Sequence, residues 1–299
     1  MSSDSSITKR LDGKVAMITG GASGLGECTA KLFVKNGAKV LIADIQDELG
    51  RSVCQELGTE NISYVHCDVT CESDVENAVN LAVSKYGKLD IMFNNAGIPG
   101  DNEVRVTHAG TEDFKRVFDV NVLGGFLGAK YAARVMVPAK KGCILFTASL
   151  ASKISFGLPH AYKASKHAVA GLTKSLSVEL GEHGIRVNCI SPNGIVTPML
   201  QKAIGNVDKK KGEEMVAVSA VLKGTVLEPE DLRMQHSIWQ VMRLNLTVVL
   251  IYQSMERIVL TINHGRWDSR HFLNKPTSPQ LYSLNVFLNF TCNKLYGRI

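Results

Sequence analysis

Short apolar runs recur along the chain, and the longer stretches between them return apolar residues with a helical period. The runs lie at 15–18, 39–43, 62–66, 89–93, 143–147 and 185–190. Runs of this length, rich in Val and Ile and bounded by glycine or polar clusters, predict strands buried on both faces. Helices are predicted after the glycine turn through Asn36-Gly37, over Gln46–Leu57, up to Tyr86, from Thr111 onward and after Pro159. Strands alternating with helices predict an α/β fold, a Rossmann-like doubly wound parallel sheet in a single domain with an atypical C-terminal tail. Ligands of such a sheet bind at the carboxyl ends of the strands. Thr19, Asp44, Asp68, Asn94 and Ser149 all fall at such ends.

The first apolar run leads into Thr19-Gly20-Gly21-Ala22-Ser23-Gly24-Leu25-Gly26. Between a strand and a helix, glycines let the backbone pass close to a pyrophosphate, and N–H groups at the helix start face its charge. The spacing of Gly20, Gly24 and Gly26 differs from Gly-x-Gly-x-x-Gly, and a glycine turn without a ligand is the alternative. Asp44 ends the second strand about 20 residues further on, where a carboxylate accepts from an adenosine ribose and repels a 2′-phosphate. That favours NAD over NADP; capping of the helix Gln46–Leu57 is the competing use. Asp68 and Val69 follow the third strand. Ser73 with Glu76 forms a capping box for the next helix, which leaves Asp68 free for an adenine edge. Small residues in Asn94-Asn95-Ala96-Gly97 suit a cofactor passing over the fourth strand. Asn121 lies inside the long helix that Thr111-Glu112-Asp113 begins, and by itself it carries no functional claim.

The chemistry concentrates between Ala148 and Lys166. Tyr162 and Lys166 stand four residues apart and share one helix face. A phenol titrates near ~10, and a fixed ammonium beside it favours phenolate and moves it towards the working range of a base. Ser149, at the end of the fifth strand, brings a hydroxyl to the same sheet edge. An ordinary half-buried tyrosine and a solvated lysine are the plainer alternative.

Charge narrows the field. The formal net charge is +6, yet residues 232–299 hold eight Lys or Arg against two acids and so carry all of it. The neutral remainder has no electrostatic footprint for nucleic acid. Seven cysteines without zinc spacing, behind a start that lacks the apolar core of a signal peptide, point to reduced thiols in the cytoplasm and to no metal. No apolar run reaches the ~18–20 residues that cross a bilayer, so no membrane is expected.

Taken together, Thr19-Gly20-x-x-x-Gly24-x-Gly26, Asn94-Asn95-Ala96-Gly97 and the set Asn121, Ser149, Tyr162 and Lys166 resemble the short-chain dehydrogenase/reductase family over residues 10–231. Within it the chain is similar to plant NAD-dependent alcohol dehydrogenases typified by secoisolariciresinol dehydrogenase, xanthoxin dehydrogenase and momilactone A synthase. The resemblance implies that Tyr162 is the general base, that Lys166 holds the nicotinamide ribose and favours phenolate, and that Ser149 binds the substrate oxygen. It implies that Asn121 holds a water linking Lys166 to solvent. It implies contacts to NAD at Gly20, Ser23, Gly24, Leu25, Gly26, Asp44, Asp68, Val69, Asn95, Ala96, Gly97, Tyr162 and Lys166. Ile195 and Thr197 would orient the carboxamide. The family more often has Gly where Asn193 stands.

After Asp231 the family pattern stops. Residues 232–299 contain no alanine, two glycines (Gly265 and Gly297) and both tryptophans, a composition that a changed reading frame or a retained intron would give. The strand at 185–190 would then be an exposed edge unless the apolar run Leu246–Tyr252 pairs with it. Residues 1–9 are expected to be disordered. Substrate loops are expected at 98–110 and 197–227, with Lys209-Lys210-Lys211 solvated. The chain is thus expected to oxidise a secondary alcohol, or reduce the ketone, of a hydrophobic terpenoid or lignan, as a homotetramer or dimer. The rival expectation is a product that keeps the cofactor fold without turnover.

Overall fold

The computed structural model describes residues 9–153, 157–192, 194–219, 249–254 and 257–262, all within the compact unit Met1–Gly265. Eight strands form one sheet in the order β3-β2-β1-β4-β5-β6-β7-β8. They are β1 (Val15–Thr19), β2 (Lys39–Asp44), β3 (Ile62–His66), β4 (Ile91–Asn94), β5 (Gly142–Thr147), β6 (Ile185–Ser191), β7 (Val249–Ser254) and β8 (Arg257–Ile262). All neighbours are parallel except β7 and β8. The order reverses between β1 and β4, which is where a doubly wound sheet opens a ligand crevice.

Period-two alternation splits the core between the two faces. Met17, Leu41, Met92, Ile144 and Val187 point to one face, with Val75 and Val79 of α3 (Glu72–Tyr86), Leu127 of α5 (Gly124–Ala139) and Val169 of α6 (His160–Gly181). Ala16, Ile18, Val40, Ile42 and Phe93 point to the other, with Phe33 of α1 (Gly24–Lys35) and Val53 of α2 (Asp47–Leu57). Both layers are closed, which explains why these strands read as unbroken apolar runs.

Three local expectations are corrected. The fourth strand begins at Ile91 rather than Leu89, because the Asp90 carboxylate accepts from Val15 N (2.9 Å) and pairs with Lys88 (2.9 Å) just before the ladder starts. The capping box does not form: Cys71 is the N-cap of α3, and Asp74, one residue beyond Ser73, takes the Asp68 N–H at 3.1 Å. The helix from Thr111 runs on through Asn121 as expected but is not α-helical throughout. It comprises α4 (Thr111–Phe118), a π-helical turn at Asp119–Leu123 and then α5.

The edge of β6 is covered by β7, with Cys189 opposite Leu250, Ile190 opposite Ile251 and Ser191 opposite Tyr252. The pairing strand starts at Val249; Leu246–Val248 lie outside the described residues, as do Asn193 and residues 1–8. Of the C-terminal stretch 232–299, only β7 and β8 are described. Among the described residues, no helix is long and apolar enough to cross a membrane.

Candidate active site

The turn after β1 is built for close backbone approach. A Cβ on Gly26 would lie 2.1 Å from the Gly20 carbonyl oxygen and 2.7 Å from Asn95 Nδ2, so any side chain there breaks the turn. Gly20 has φ +62°, in the left-handed region, and packs on Ala96. Asn95 ties the turn to the sheet: Nδ2 donates to the carbonyls of Gly20 (3.0 Å) and Thr19 (3.2 Å), and Oδ1 accepts from Thr147 Oγ1 at 3.0 Å. Thr19 Oγ1 accepts from the N–H groups of Asn95 (3.0 Å) and Ala96 (3.2 Å). The Asn95 side chain is therefore scaffold, and what the segment offers a ligand is its backbone. Gly24 meets Thr197 across the crevice, while Ser23 and Leu25 are half-buried at the start of α1.

Asp44 ties the glycine turn to the entry of α2. Its Oδ2 accepts from Ala22 N in the glycine turn (3.0 Å), and its Oδ1 accepts from Gln46 N (3.0 Å) and Gln46 Nε2 (3.2 Å) at the entry to α2. The helix N-cap itself is Gln46. Oδ1 is thereby filled, and Oδ2 keeps one lone-pair site for a further donor. Asp68 Oδ1 accepts from Thr70 N (2.9 Å) and Thr70 Oγ1 (2.8 Å), which fixes the loop after β3, and Val69 is buried against Gly124.

At the far end of the crevice α6 carries Tyr162 and Lys166. The Lys166 ammonium is buried, donates to the Thr147 carbonyl at 2.8 Å and lies 5.5 Å from the centre of the Tyr162 ring. Ser149 follows β5 and caps a 3₁₀ turn, with Oγ accepting from Ala151 N at 3.1 Å. Its hydroxyl is also hydrogen-bonded to the Tyr162 phenol. Three groups expected together from the sequence are thus brought together by β5 and α6.

Their electrostatics differ from the expectation. Burial pushes the Tyr162 phenol up, and what draws it back is the hydrogen bond from Ser149. Burial acts on the lysine too and pulls its own pKa down to about 8, which leaves it charged at neutral pH. Desolvation, which a sequence does not display, outweighs the helical pairing.

Asn121 sits in the π turn and is buried. Its Oδ1 accepts from Ile98 N (2.8 Å), and its Nδ2 donates to the Ile98 carbonyl (3.0 Å) and to Ser165 Oγ (2.9 Å). The side chain clamps the segment after β4 onto α6. Ser165 was not singled out by sequence reasoning, although its place three residues after Tyr162 puts it near that face of α6; its hydroxyl donates to the Tyr162 carbonyl at 2.8 Å. A Cβ on Gly97 would approach Asn121 Oδ1 at 3.1 Å and Lys166 Nζ at 3.4 Å, so glycine keeps a cradle open over the lysine.

Ile195 and Thr197 close the crevice from the β6 side. Ile195 is buried, and Thr197 caps α7 (Pro198–Ala203) with Oγ1 accepting from Leu200 N at 3.4 Å, which leaves its proton to donate elsewhere. Asn102 Nδ2 donates to the Ala203 carbonyl at 2.6 Å and joins the loop after β4 to α7. Val104, Val106 and Met199 are exposed apolar residues on these two segments. Lys209, Lys210 and Lys211 open α8 (Lys209–Ser219) and face solvent, as expected.

The profile of the short chain dehydrogenases matches residues 14–207. The chain belongs to the short-chain dehydrogenase/reductase family. It is 56% identical over 225 residues to momilactone A synthase of Oryza sativa subsp. japonica, covering 75% of this chain and 82% of that protein. Secoisolariciresinol dehydrogenase of Forsythia intermedia is 56% identical over 225 residues, with 75% and 81% covered. The crystal structure of a 3-ketoacyl-(acyl-carrier-protein) reductase from Brucella melitensis complexed with NADH superposes with a TM-score of 0.70 at 34% identity, covering 80% of this chain and 96% of that one. This short-chain dehydrogenase is therefore an oxidoreductase of the nicotinamide-dependent kind.

Proposed function

We propose that this short-chain dehydrogenase transfers a hydride between NAD(H) and a secondary alcohol or ketone on a hydrophobic metabolite of the terpenoid or lignan type. The observation that carries the reading is the meeting of Ser149, Tyr162 and Lys166 at the strand ends, beside the cradle that Gly97 keeps free. The residues fit the cofactor: Gly20, Gly24 and Gly26 clear a backbone-lined turn, Asp44 keeps an acceptor site on Oδ2 for a ribose hydroxyl, and Lys166 and Thr197 offer donors at the other end. The bound nicotinamide supplies the hydride acceptor or donor.

The chain's own residues supply proton transfer. Ser149 Oγ–H donates to the substrate oxygen and to the phenol in turn. Tyr162 gives its proton to the carbonyl oxygen in reduction and takes it from the hydroxyl in oxidation. A phenol held high by burial is protonated at neutral pH and so is ready as the acid; as the base it gains strength with rising pH. Oxidation should therefore accelerate on the alkaline side. In Ser149→Ala the phenol loses the hydrogen bond that draws it down, so the rising limb of kcat/KM moves to higher pH. A limb that stays in place removes Ser149 from control of the phenol.

Titration with NADH and NADPH, read as thermal shifts, tests the cofactor. A shift with NADH and none with NADPH is expected from Asp44, and the reverse preference overturns the NAD assignment. Hydrophobic secondary alcohols, with the primary diol secoisolariciresinol beside them, are the first substrates to assay, given the relatives. The exposed valines of 98–110 and Met199 of α7 support an apolar substrate.

A second reading has its own observation. The matches to the plant relatives cover 75% of the chain, and the family profile stops at residue 207. On this reading 232–299 is a tail foreign to the family and the protein binds the cofactor without turning over. Against it stands β7, which supplies β6 with the neighbour it would otherwise lack. An NADH thermal shift in a protein inactive on the whole alcohol panel would favour this second reading.

A further inference from the structure

We propose that Tyr64, Asp47 and His66 form a clamp that positions Asp44 and so sets the preference of the crevice for NADH over NADPH. The inference rests on reading Asp44 as the acceptor for the adenosine ribose, and it adds the residues that hold that acceptor in place.

Asp44 is buried at the end of β2, where its carbonyl accepts from Cys67 N at 3.0 Å, but little burial fixes the residues that follow it. Ile45 is 61% exposed and Gln46 faces solvent. Polar contacts do the fixing. Tyr64 Oη lies 2.6 Å from the Asp44 carbonyl oxygen and 2.5 Å from Asp47 Oδ1, and His66 Nδ1 lies 2.7 Å from that same Oδ1. Asp47 is the first residue of α2, while Tyr64 and His66 belong to β3, where His66 stands opposite Asp44 in the ladder. The three side chains therefore tie the end of β2, the start of α2 and the end of β3 together.

The clamp has a seat cut for it. A Cβ on Gly50 would fall 2.1 Å from Tyr64 Cδ2 and 2.2 Å from Cε2, so the ring lies on the backbone of α2 in space that only glycine leaves. Burial, with Asp47 adding to it, pushes the Tyr64 phenol well above its ordinary value, so it remains a donor. One phenolic proton serves two acceptors, and His66 Nδ1–H supplies the second donor to Asp47. Arg51 Nη2, 3.6 Å from Asp47 Oδ2, faces the cluster from α2, and Asp68 and Asp74 face His66 from the loop after β3 and from α3.

The consequence is directional. With the carbonyl of Asp44 held from behind, its carboxylate keeps a fixed attitude between Ala22 and Gln46, able to accept from a diol and to repel a phosphate. Without the Tyr64 hydroxyl the carbonyl is held by Cys67 N alone, and the carboxylate gains some freedom, which weakens the diol contact and relaxes the repulsion. Residues distant from the nucleotide would then control the ratio of the two affinities.

The test is the ratio of NADPH to NADH dissociation constants, measured by fluorescence titration of the full chain. Tyr64→Phe keeps the ring on Gly50 and removes the hydroxyl, and should reduce the ratio by about three- to tenfold. His66→Ala, at an exposed side chain that folding tolerates, should change it in the same direction by less. Tyr86→Phe is the control: that phenol bonds Ser63 on the same strand at 2.8 Å, away from Asp44, so its loss should affect stability and leave the ratio alone. A Tyr64→Phe ratio equal to wild type, or one matched by Tyr86→Phe, overturns the clamp while the NAD reading stands. A wild-type protein that binds NADPH as tightly as NADH overturns the reading of Asp44 itself.

Discussion

Tyr162→Phe should lose turnover by about 10²–10⁴-fold, the usual contribution of a positioned proton donor or acceptor, with the NADH thermal shift preserved. The ring stays on α6 beside Lys166, and only the hydroxyl that meets Ser149 is removed. Proton transfer is the step lost, so the deficit should appear in kcat and kcat/KM alike, in both directions of the reaction. Steady-state assays with NADH and a ketone, and with NAD and the matching alcohol, read both. Turnover within a small factor of wild type would place the proton elsewhere and leave Tyr162 as an ordinary helix residue.

Lys166→Met should give a protein that is inactive and, without nucleotide, more stable at neutral pH. Burial takes the lysine from 10.5 to about 8, a depression worth about 3 kcal/mol against the folded state. Losing the hydrogen bond to the Thr147 carbonyl offsets about 1 kcal/mol of that, so a net gain of about 2 kcal/mol is expected. The sign sets the pH window. Below about 8 the lysine is charged in both folded and unfolded chains, and the folded state bears the whole penalty. Between about 8 and 10.5 the folded chain releases the proton first, so wild-type stability recovers and the gap to Lys166→Met narrows. Melting temperatures of both proteins across this range make the measurement. A gap absent at pH 7, or one that widens with alkali, would mean that the ammonium is not held at a cost.

That cost marks the limit of what the sequence discloses. The period of Tyr162 and Lys166 was enough to place them on one helix face, and the apolar run before Ser149 was enough to bring it to them. Their distances from solvent depend on β5, α6 and the segment after β4 closing together, and the pKa directions follow from that closure. Asp44 shows a related limit. Ribose acceptor and helix entry look like rival uses in the sequence, yet a carboxylate has lone pairs for the glycine turn and Gln46 together, with one site left on Oδ2. The capping box failed for a local reason: Asp74 took the Asp68 N–H, and the helix began at Glu72 before Ser73 could cap it. Tyr64 carried no motif and read as one more strand residue; only its place on Gly50, next to Asp44, distinguishes it.

The π turn at Asp119–Leu123 gives Asn121 its partners, and it also changes the phase of the chain. One residue too many enters a single turn, so everything after it is rotated by about 100° relative to an unbroken α-helix. α4 packs on α6, whereas α5 packs chiefly on α3, β4 and β5 and touches α6 less. A regular helix would present one stripe throughout and could satisfy only one of these neighbours. The inserted residue works as a gear change: ahead of it the helix braces the element that bears Tyr162 and Lys166, and behind it the same run of chain roofs the sheet.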